Sequence, residues 1–161
     1  MTRNNYIAHG NLGEALGSKG QTDEAIRQFE EAIQIEPNYP DAENNLGIAF
    51  GKIGKVDDAI RHFQTAIRLK PNFAEAYYNL GVALDMKGQP DKAIREFEAA
   101  LRIRSDFPEA QNNLGIALAM EGRVDDAISH FQTALRLKPD YIEAKNNLAR
   151  TLGIKAAANG R

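Results

Sequence analysis

The sequence predicts an all-α solenoid of tandem antiparallel helix hairpins. Three observations predict it: a 34-residue period, glycines and prolines that punctuate each period at fixed places, and apolar residues at helical spacing between them. Leu-Gly recurs at Leu12-Gly13, Leu46-Gly47, Leu80-Gly81 and Leu114-Gly115, with Leu148-Ala149 as a fifth, altered copy. In the same register stand Gly20, Gly54, Gly88 and Gly122, and then Ala25, Ala59, Ala93 and Ala127. Phe29, Phe63, Phe97 and Phe131 follow, and Ala32, Ala66, Ala100 and Ala134 complete the series. A 68-residue period lies over the first, because 54–71 and 122–139 differ only at Lys55/Arg123, Arg61/Ser129 and Ile67/Leu135. That near-identity reads as the duplication of a two-unit block.

The units are 6–39, 40–73, 74–107 and 108–141, each reading as two helices, and a single helix over 142–158 closes the chain. In the second unit the helices span Pro40 to Ile53 and Val56 to Lys70. Pro40 and Pro108 suit a first helical turn, where a missing N–H costs no bond, and Asn38, Asn72, Asp106 and Asp140 just upstream are candidate caps. Gly54 and Gly122 end the first helices of their units. In the second helix Ala59, Ile60, Phe63, Ala66 and Ile67 fall at three- and four-residue intervals, so they share one stripe. A lone hairpin cannot bury such a stripe, and the hairpins must stack, the small residues letting one helix approach the next. The last segment, Ile142 to Ile154, repeats only a first helix and carries Lys145, Arg150 and Lys155, as a capping helix should.

Composition narrows the function classes. With 161 residues, 43% hydrophobic and 26% charged, the chain has the balance of one ordinary soluble unit. It has no cysteine, which excludes disulfides, thiolate metal sites and a sulfur nucleophile. The 20 basic and 22 acidic residues nearly cancel to a formal charge of -2, so there is no global pull toward nucleic acid or an anionic membrane. No apolar core of a signal peptide follows Met1, and no apolar run approaches the roughly 20 residues that span a bilayer. The expected location is cytoplasmic, without membrane insertion. The ending over 156–161 would suit a cut from a longer protein.

Leu-Gly, then Gly, Ala, Phe, Ala and Pro at fixed offsets in a 34-residue unit resembles the tetratricopeptide repeat (TPR), over nearly the whole chain. The resemblance implies a right-handed superhelix whose concave surface, lined by the first helices, holds an extended peptide or a partner helix; it implies no chemistry and no cofactor. Two departures stand out. The large aromatic common in the family's first helix appears only as Tyr77, its counterparts being His9, Glu43, Gln111 and Lys145, so that pocket must be filled differently or left partly open. The closing proline is present at Pro37, Pro71 and Pro139 but replaced by Ser105, from which a less fixed turn and a slight local change of superhelix are expected.

If the first helices line the groove, the residue before each repeated Leu should face inward. It is asparagine every time: Asn11, Asn45, Asn79, Asn113 and Asn147. Asparagine is a poor mid-helix residue, costing some tenths of a kcal/mol against alanine, and its amide offers both a donor and an acceptor to a peptide backbone. The ladder is similar to that in the repeat domain of O-linked N-acetylglucosamine transferase. The alternative is that these amides bond only neighbouring backbone. Asp41, Glu75, Glu109 and Glu143 take the second place of successive first helices and form an acidic edge suited to a basic peptide, or else simply complement the helix dipole. Ile48, Val82 and Ile116, with Met86, Met120 and Tyr78, are expected to put apolar surface into the middle of the groove, unless some pack against the adjacent unit.

The family's chaperone-binding members clamp a terminal carboxylate with basic residues on the first helices. The corresponding places here carry Asn44, Tyr78 and Asn112, which argues against that subclass. His62 and His130, beside Phe63 and Phe131 on the outward side of second helices, and His9 read as solvated. Asp57-Asp58 and Asp125-Asp126 sit in first turns of second helices, where Asp57 can also pair with Arg61. Arg68, Lys70, Arg102, Arg104, Arg136 and Lys138 crowd the other helix ends, which dipole compensation explains without nucleic acid. No catalytic, metal-ligating or phosphate-cradling motif occurs, so the chain reads as a binding protein and not an enzyme. Three readings remain: a groove-binding adaptor for a protein or peptide, a homo-oligomeric scaffold assembling through its ends, and the substrate-recruiting domain of a larger enzyme.

Overall fold

The structure, a computed structural model, describes residues 5–159. Among the described residues there are nine helices and no strand. They are α1 (Asn5–Ser18), α2 (Thr22–Ile35), α3 (Pro40–Lys52), α4 (Val56–Leu69), α5 (Ala74–Met86), α6 (Pro90–Ile103), α7 (Pro108–Met120), α8 (Val124–Leu137) and α9 (Ile142–Asn159). Odd-numbered helices are the first helices of the units, and α9 is the unpaired last one. The expected all-α solenoid is what the chain forms.

The first helices α1, α3, α5 and α7 each stop at a glycine with φ between +73° and +78°: Gly20, Gly54, Gly88 and Gly122. The N–H of the next residue then reaches back to a carbonyl of the last turn, Lys55 to Phe50 at 3.0 Å and Arg123 to Leu118 at 2.9 Å. A side chain other than glycine is strained there, which is why the glycine recurs.

The glycine of each Leu-Gly pair has a different job, which is close approach. A Cβ on Gly47 would lie 2.7 Å from the Phe63 ring, and one on Gly81 would lie 2.6 Å from Phe97. The bare backbone lets the phenylalanine of the second helix lie flush on the first, and Phe63, Phe97 and Phe131 are almost fully buried there. Ala149 breaks the Leu-Gly rule in α9, the last helix among the described residues. Ala59, Ala93 and Ala127, fully buried, set the spacing of successive helices in the same core.

One local expectation is corrected. The N-caps of α3, α5 and α7 are Tyr39, Phe73 and Phe107, with no side-chain capping bond, so Asn38, Asn72 and Asp106 do not cap. The cap position is given to core packing, since Phe73 and Phe107 are buried. Ser105, in the place of the missing proline, sits in a bend of the same form as that at Pro37, and α7 begins in the regular register.

First helices pack on one another, α1 on α3, α3 on α5 and α7 on α9, whereas among the described residues the second helices make no comparable packing with each other. A stack closed on one side and open on the other curves toward the closed side. The first helices therefore form the inner face.

Candidate functional site

The asparagine row runs along that inner face and ties the units together. Asn45 Nδ2 donates to Glu14 Oε1 at 2.8 Å, Asn79 Nδ2 to Asn44 Oδ1 at 3.0 Å, Asn113 Nδ2 to the Tyr78 hydroxyl at 3.2 Å, and Asn147 Nδ2 to Asn112 Oδ1 at 3.0 Å. Each bond joins a first helix to the one before it. The acceptors Asn44 and Asn112 are buried, and an unpaired amide there would be costly. The side-chain nitrogens are thus committed between units, to side chains and not to backbone. Among the described residues no donor of the chain bonds the oxygens of Asn45 and Asn79, whereas that of Asn113 accepts from Asn112 and that of Asn147 from Arg150. Asn11, at the start of the row, is exposed.

The acidic row is largely ion-paired. Asp41 meets Lys70 at 3.9 Å, Glu75 meets Arg104, and Glu109 meets Lys138 at 3.7 Å, each cation lying just past the second helix of the same unit. The same cations lie over the aromatic at the start of the next first helix: Lys70 over Phe73 at 4.2 Å, Arg104 over Phe107 at 3.6 Å, Lys138 over Tyr141 at 4.9 Å. Each junction is therefore a small acid, cation and aromatic stack. Glu143 is exposed and belongs to α9, the last helix among the described residues.

Beside the asparagines lie two open hollows of about 260 Å³ each, built from equivalent residues one unit apart. Gly17, Phe29, Asn45 and Ile48 line the first, and Gly51, Phe63, Asn79 and Val82 the second, with Met86 at its edge. Each opens because a glycine stands at the end of the first helix. Ile48, Val82 and Ile116 are half-buried, and Met86 and Met120 are 62% and 75% exposed. Tyr78 differs from them: its ring packs on Phe107 at 4.8 Å and on Phe97 at 6.0 Å, and burial, then the Glu109 carboxylate, raise its pKa above the usual tyrosine value. It is a wedge between units more than an exposed contact.

The histidines correct the solvated reading. His9 Nδ1 bonds Gln28 Oε1 at 2.8 Å, His62 Nδ1 bonds Glu43 Oε2 at 2.7 Å, and His130 Nδ1 bonds Gln111 Oε1 at 2.6 Å. All three imidazoles are half-buried, and Glu43 and Gln111 are buried. A polar pair across the hairpin fills the place that the family gives to an aromatic, and the cue was present in the sequence: each pair is 19 residues apart. Burial holds the His130 pKa below its usual value, and in the aromatic-bearing unit burial raises that of Glu96. The pairing expected for Asp57 is also different. Arg61 meets Asp58, while Asp57 reaches Lys87 in the next unit, as Asp125 reaches Lys155 at 2.6 Å.

Sequence reasoning missed four contributors: Glu14 and Asn44 as anchors of the asparagine row, and Gly17 and Gly51 as the openings of the hollows. The doublet Asn44-Asn45, repeated as Asn112-Asn113, was the available signal for the anchors. No described helix is long and apolar enough to cross a membrane.

The tetratricopeptide repeat profile matches residues 44–106 and 87–142, and a second TPR repeat profile matches 13–54. No curated relative matches the sequence. Among solved structures the chain is similar to the MamA protein, at 26% identity and a TM-score of 0.83, over 96% of this chain and 85% of that one. A MamA from Desulfovibrio magneticus RS-1, residues 41 to the end, gives 24% identity and a TM-score of 0.85 over 97% and 88%. YrrB, described as a TPR protein with an unusual peptide-binding site, gives 23% identity and a TM-score of 0.79 over 96% and 80%. Like the hairpins, the glycine-to-phenylalanine packing and the 34-residue period, these matches lead to one statement: the chain belongs to the tetratricopeptide repeat family, whose members are generally non-enzymatic scaffolds for protein interaction.

Proposed function

We propose that this scaffold is an adaptor whose inner face holds an extended segment of a protein partner. The observation that carries the reading is the pairing of ladder asparagines with hollows: Asn45 and Asn79 each line one, their nitrogens held by the preceding unit and their oxygens free of internal donors. An amide oxygen beside an apolar niche suits a peptide, one group for its backbone and one for a side chain. Ile48, Val82, Ile116, Met86 and Met120 add apolar surface along the same face. The acidic row favours a basic partner only where a ligand cation displaces Lys70, Arg104 or Lys138, or reaches Glu143. The test is a pull-down with the wild type and with Asn45, Asn79 and Asn113 all changed to alanine, both confirmed helical by circular dichroism. Loss of a specific partner from the variant supports the inner face; equal capture by both moves the site to the outer face or the ends.

A second reading, assembly with another copy, is favoured by the ends of the array. Leu12 is 48% exposed where its equivalents Leu46 and Leu114 are 2%, and Leu152 is 45% exposed where Leu118 is 1%. Among the described residues no helix covers these positions as one covers their equivalents. Molar mass by light scattering across a concentration series tests it: a rise with concentration that Leu152→Glu abolishes supports end-to-end contact, and a constant monomer mass rejects it.

A further inference from the structure

We infer that the held segment has a polyproline-II conformation, with two apolar side chains three residues apart and a basic side chain three residues further along. The inference rests on the inner-face reading above and adds the ligand's conformation and pattern. Its first support is spacing. Direct bonds between first helices, Asn45 to Glu14 at 2.8 Å and Asn79 to Asn44 at 3.0 Å, make them packed neighbours, with axes about 8 to 10 Å apart. The hollows at Gly17 and Gly51 recur once per unit, so they lie at about that step. A polyproline-II chain has three residues per turn and a rise of about 3.1 Å, which puts same-face side chains about 9 Å apart. A β-strand offers same-face side chains at about 7 or 13 Å, which miss the step.

An α-helix would match at seven residues, about 10.5 Å, so spacing alone does not exclude it. Hydrogen bonding does. The Glu14 carboxylate can only accept, so Asn45 must turn its nitrogen toward it and leave its oxygen for another donor. A helix spends its interior N–H groups on itself, whereas a polyproline-II backbone leaves every N–H free. The ligand residue facing Asn45 therefore cannot be proline, although its neighbours can.

Charge supplies the third element of the pattern. At the third junction Asp85, exposed, stands where Gly17 and Gly51 stand at the first two. The third step along the groove thus presents a carboxylate in place of a glycine, and a lysine or arginine on the ligand complements it. The groove does not fix chain direction, so the basic residue either follows or precedes the apolar pair.

The experiment uses fluorescence anisotropy of labelled twelve-residue synthetic peptides against the full chain. One set carries two leucines three residues apart and a lysine three further on, in both orders, in an alanine, glutamine and proline background. Comparison sets space the leucines by two and by four, and a helix-favouring set by seven. Protein variants are Gly17→Leu and Gly51→Leu, which fill the hollows, Asn79→Ala, which removes a ladder amide, and Asp85→Lys. A Cβ on Gly17 or Gly51 meets nothing nearer than 3.8 and 4.0 Å, and both variants are checked for helicity. The three-spaced peptide should bind about tenfold or more tightly than the two- and four-spaced ones, the worth of one buried leucine. Gly51→Leu should lose about the same factor, and Asp85→Lys should weaken only peptides that carry lysine. Equal affinity across spacings, or tightest binding by the helical peptide, overturns the inference while leaving the inner-face reading intact if Gly51→Leu and Asn79→Ala still weaken binding. Absence of binding by every peptide, or binding indifferent to those substitutions, overturns both.

Discussion

Asn45 donates its amide nitrogen to the Glu14 carboxylate at 2.8 Å, and because a carboxylate only accepts, the asparagine is oriented by the unit before it. The row of asparagines is thus first a brace between units and only then a set of acceptors. A double-mutant cycle of Asn45→Ala and Glu14→Ala, read by urea unfolding, should show a favourable coupling of about 0.5 to 1 kcal/mol, the range for a partly exposed charged hydrogen bond. Zero coupling would mean the contact is not formed in solution.

The two kinds of helical glycine should respond oppositely to alanine. Gly81→Ala pushes a methyl to within 2.6 Å of the Phe97 ring and should cost about 1 to 3 kcal/mol by overpacking. Gly51→Ala places its methyl 4.0 Å from that of Ala59 and should gain about 0.5 to 1 kcal/mol from helix propensity. Chemical denaturation of both variants checks the pair. A gain from Gly81→Ala would contradict the close-approach account.

Gly54, with φ of +76° and open space around it, should lose about 1 kcal/mol on change to alanine, from backbone strain alone. Change to asparagine, which tolerates the left-handed region, should cost less. Equal stability of Gly54→Ala and the wild type would argue against the turn as drawn.

Stability should fall in acid through His130. Burial depresses its folded pKa below 6.5, so as pH drops past that value the unfolded chain takes up the proton first and the folded state loses stability until its own lower pKa is passed. His130→Gln should remove that loss, measured as the difference in unfolding free energy between about pH 7.5 and about pH 5.5. Glu96 works in the opposite sense. Its folded pKa is raised above 4.5, so its contribution is full below 4.5 and is lost as pH rises through the folded value. Glu96→Gln should therefore stabilise the protein at neutral pH and not at about pH 4.

The fold was legible because its determinants are local and repeated. Gly54 must adopt positive φ, Gly47 must admit Phe63, and neither requirement depends on distant chain, so spacing alone exposed them. The helix starts were legible but their caps were misread, because burial outcompetes capping: Phe73 takes the position that a polar cap would hold. The site was legible by position more than by partnership. The ladder, acids and apolar residues were found on the first helices, but their partners lie 29 to 35 residues away, as with Arg104 for Glu75 and Asn44 for Asn79. The histidines illustrate the same gap: His62 looks solvent-facing from the helical period, and only the hairpin's closure shows that it bonds Glu43.

The most direct test of the central claim is site-specific photo-crosslinking to the partner recovered by pull-down, with the photoreactive residue at Val82 on the inner face or at exposed Gln64 on the outer. Crosslinking from Val82, lost when Gly17 and Gly51 are both changed to leucine and absent from Gln64, is the result the inner-face account predicts. Crosslinking from Gln64 with none from Val82 would contradict it.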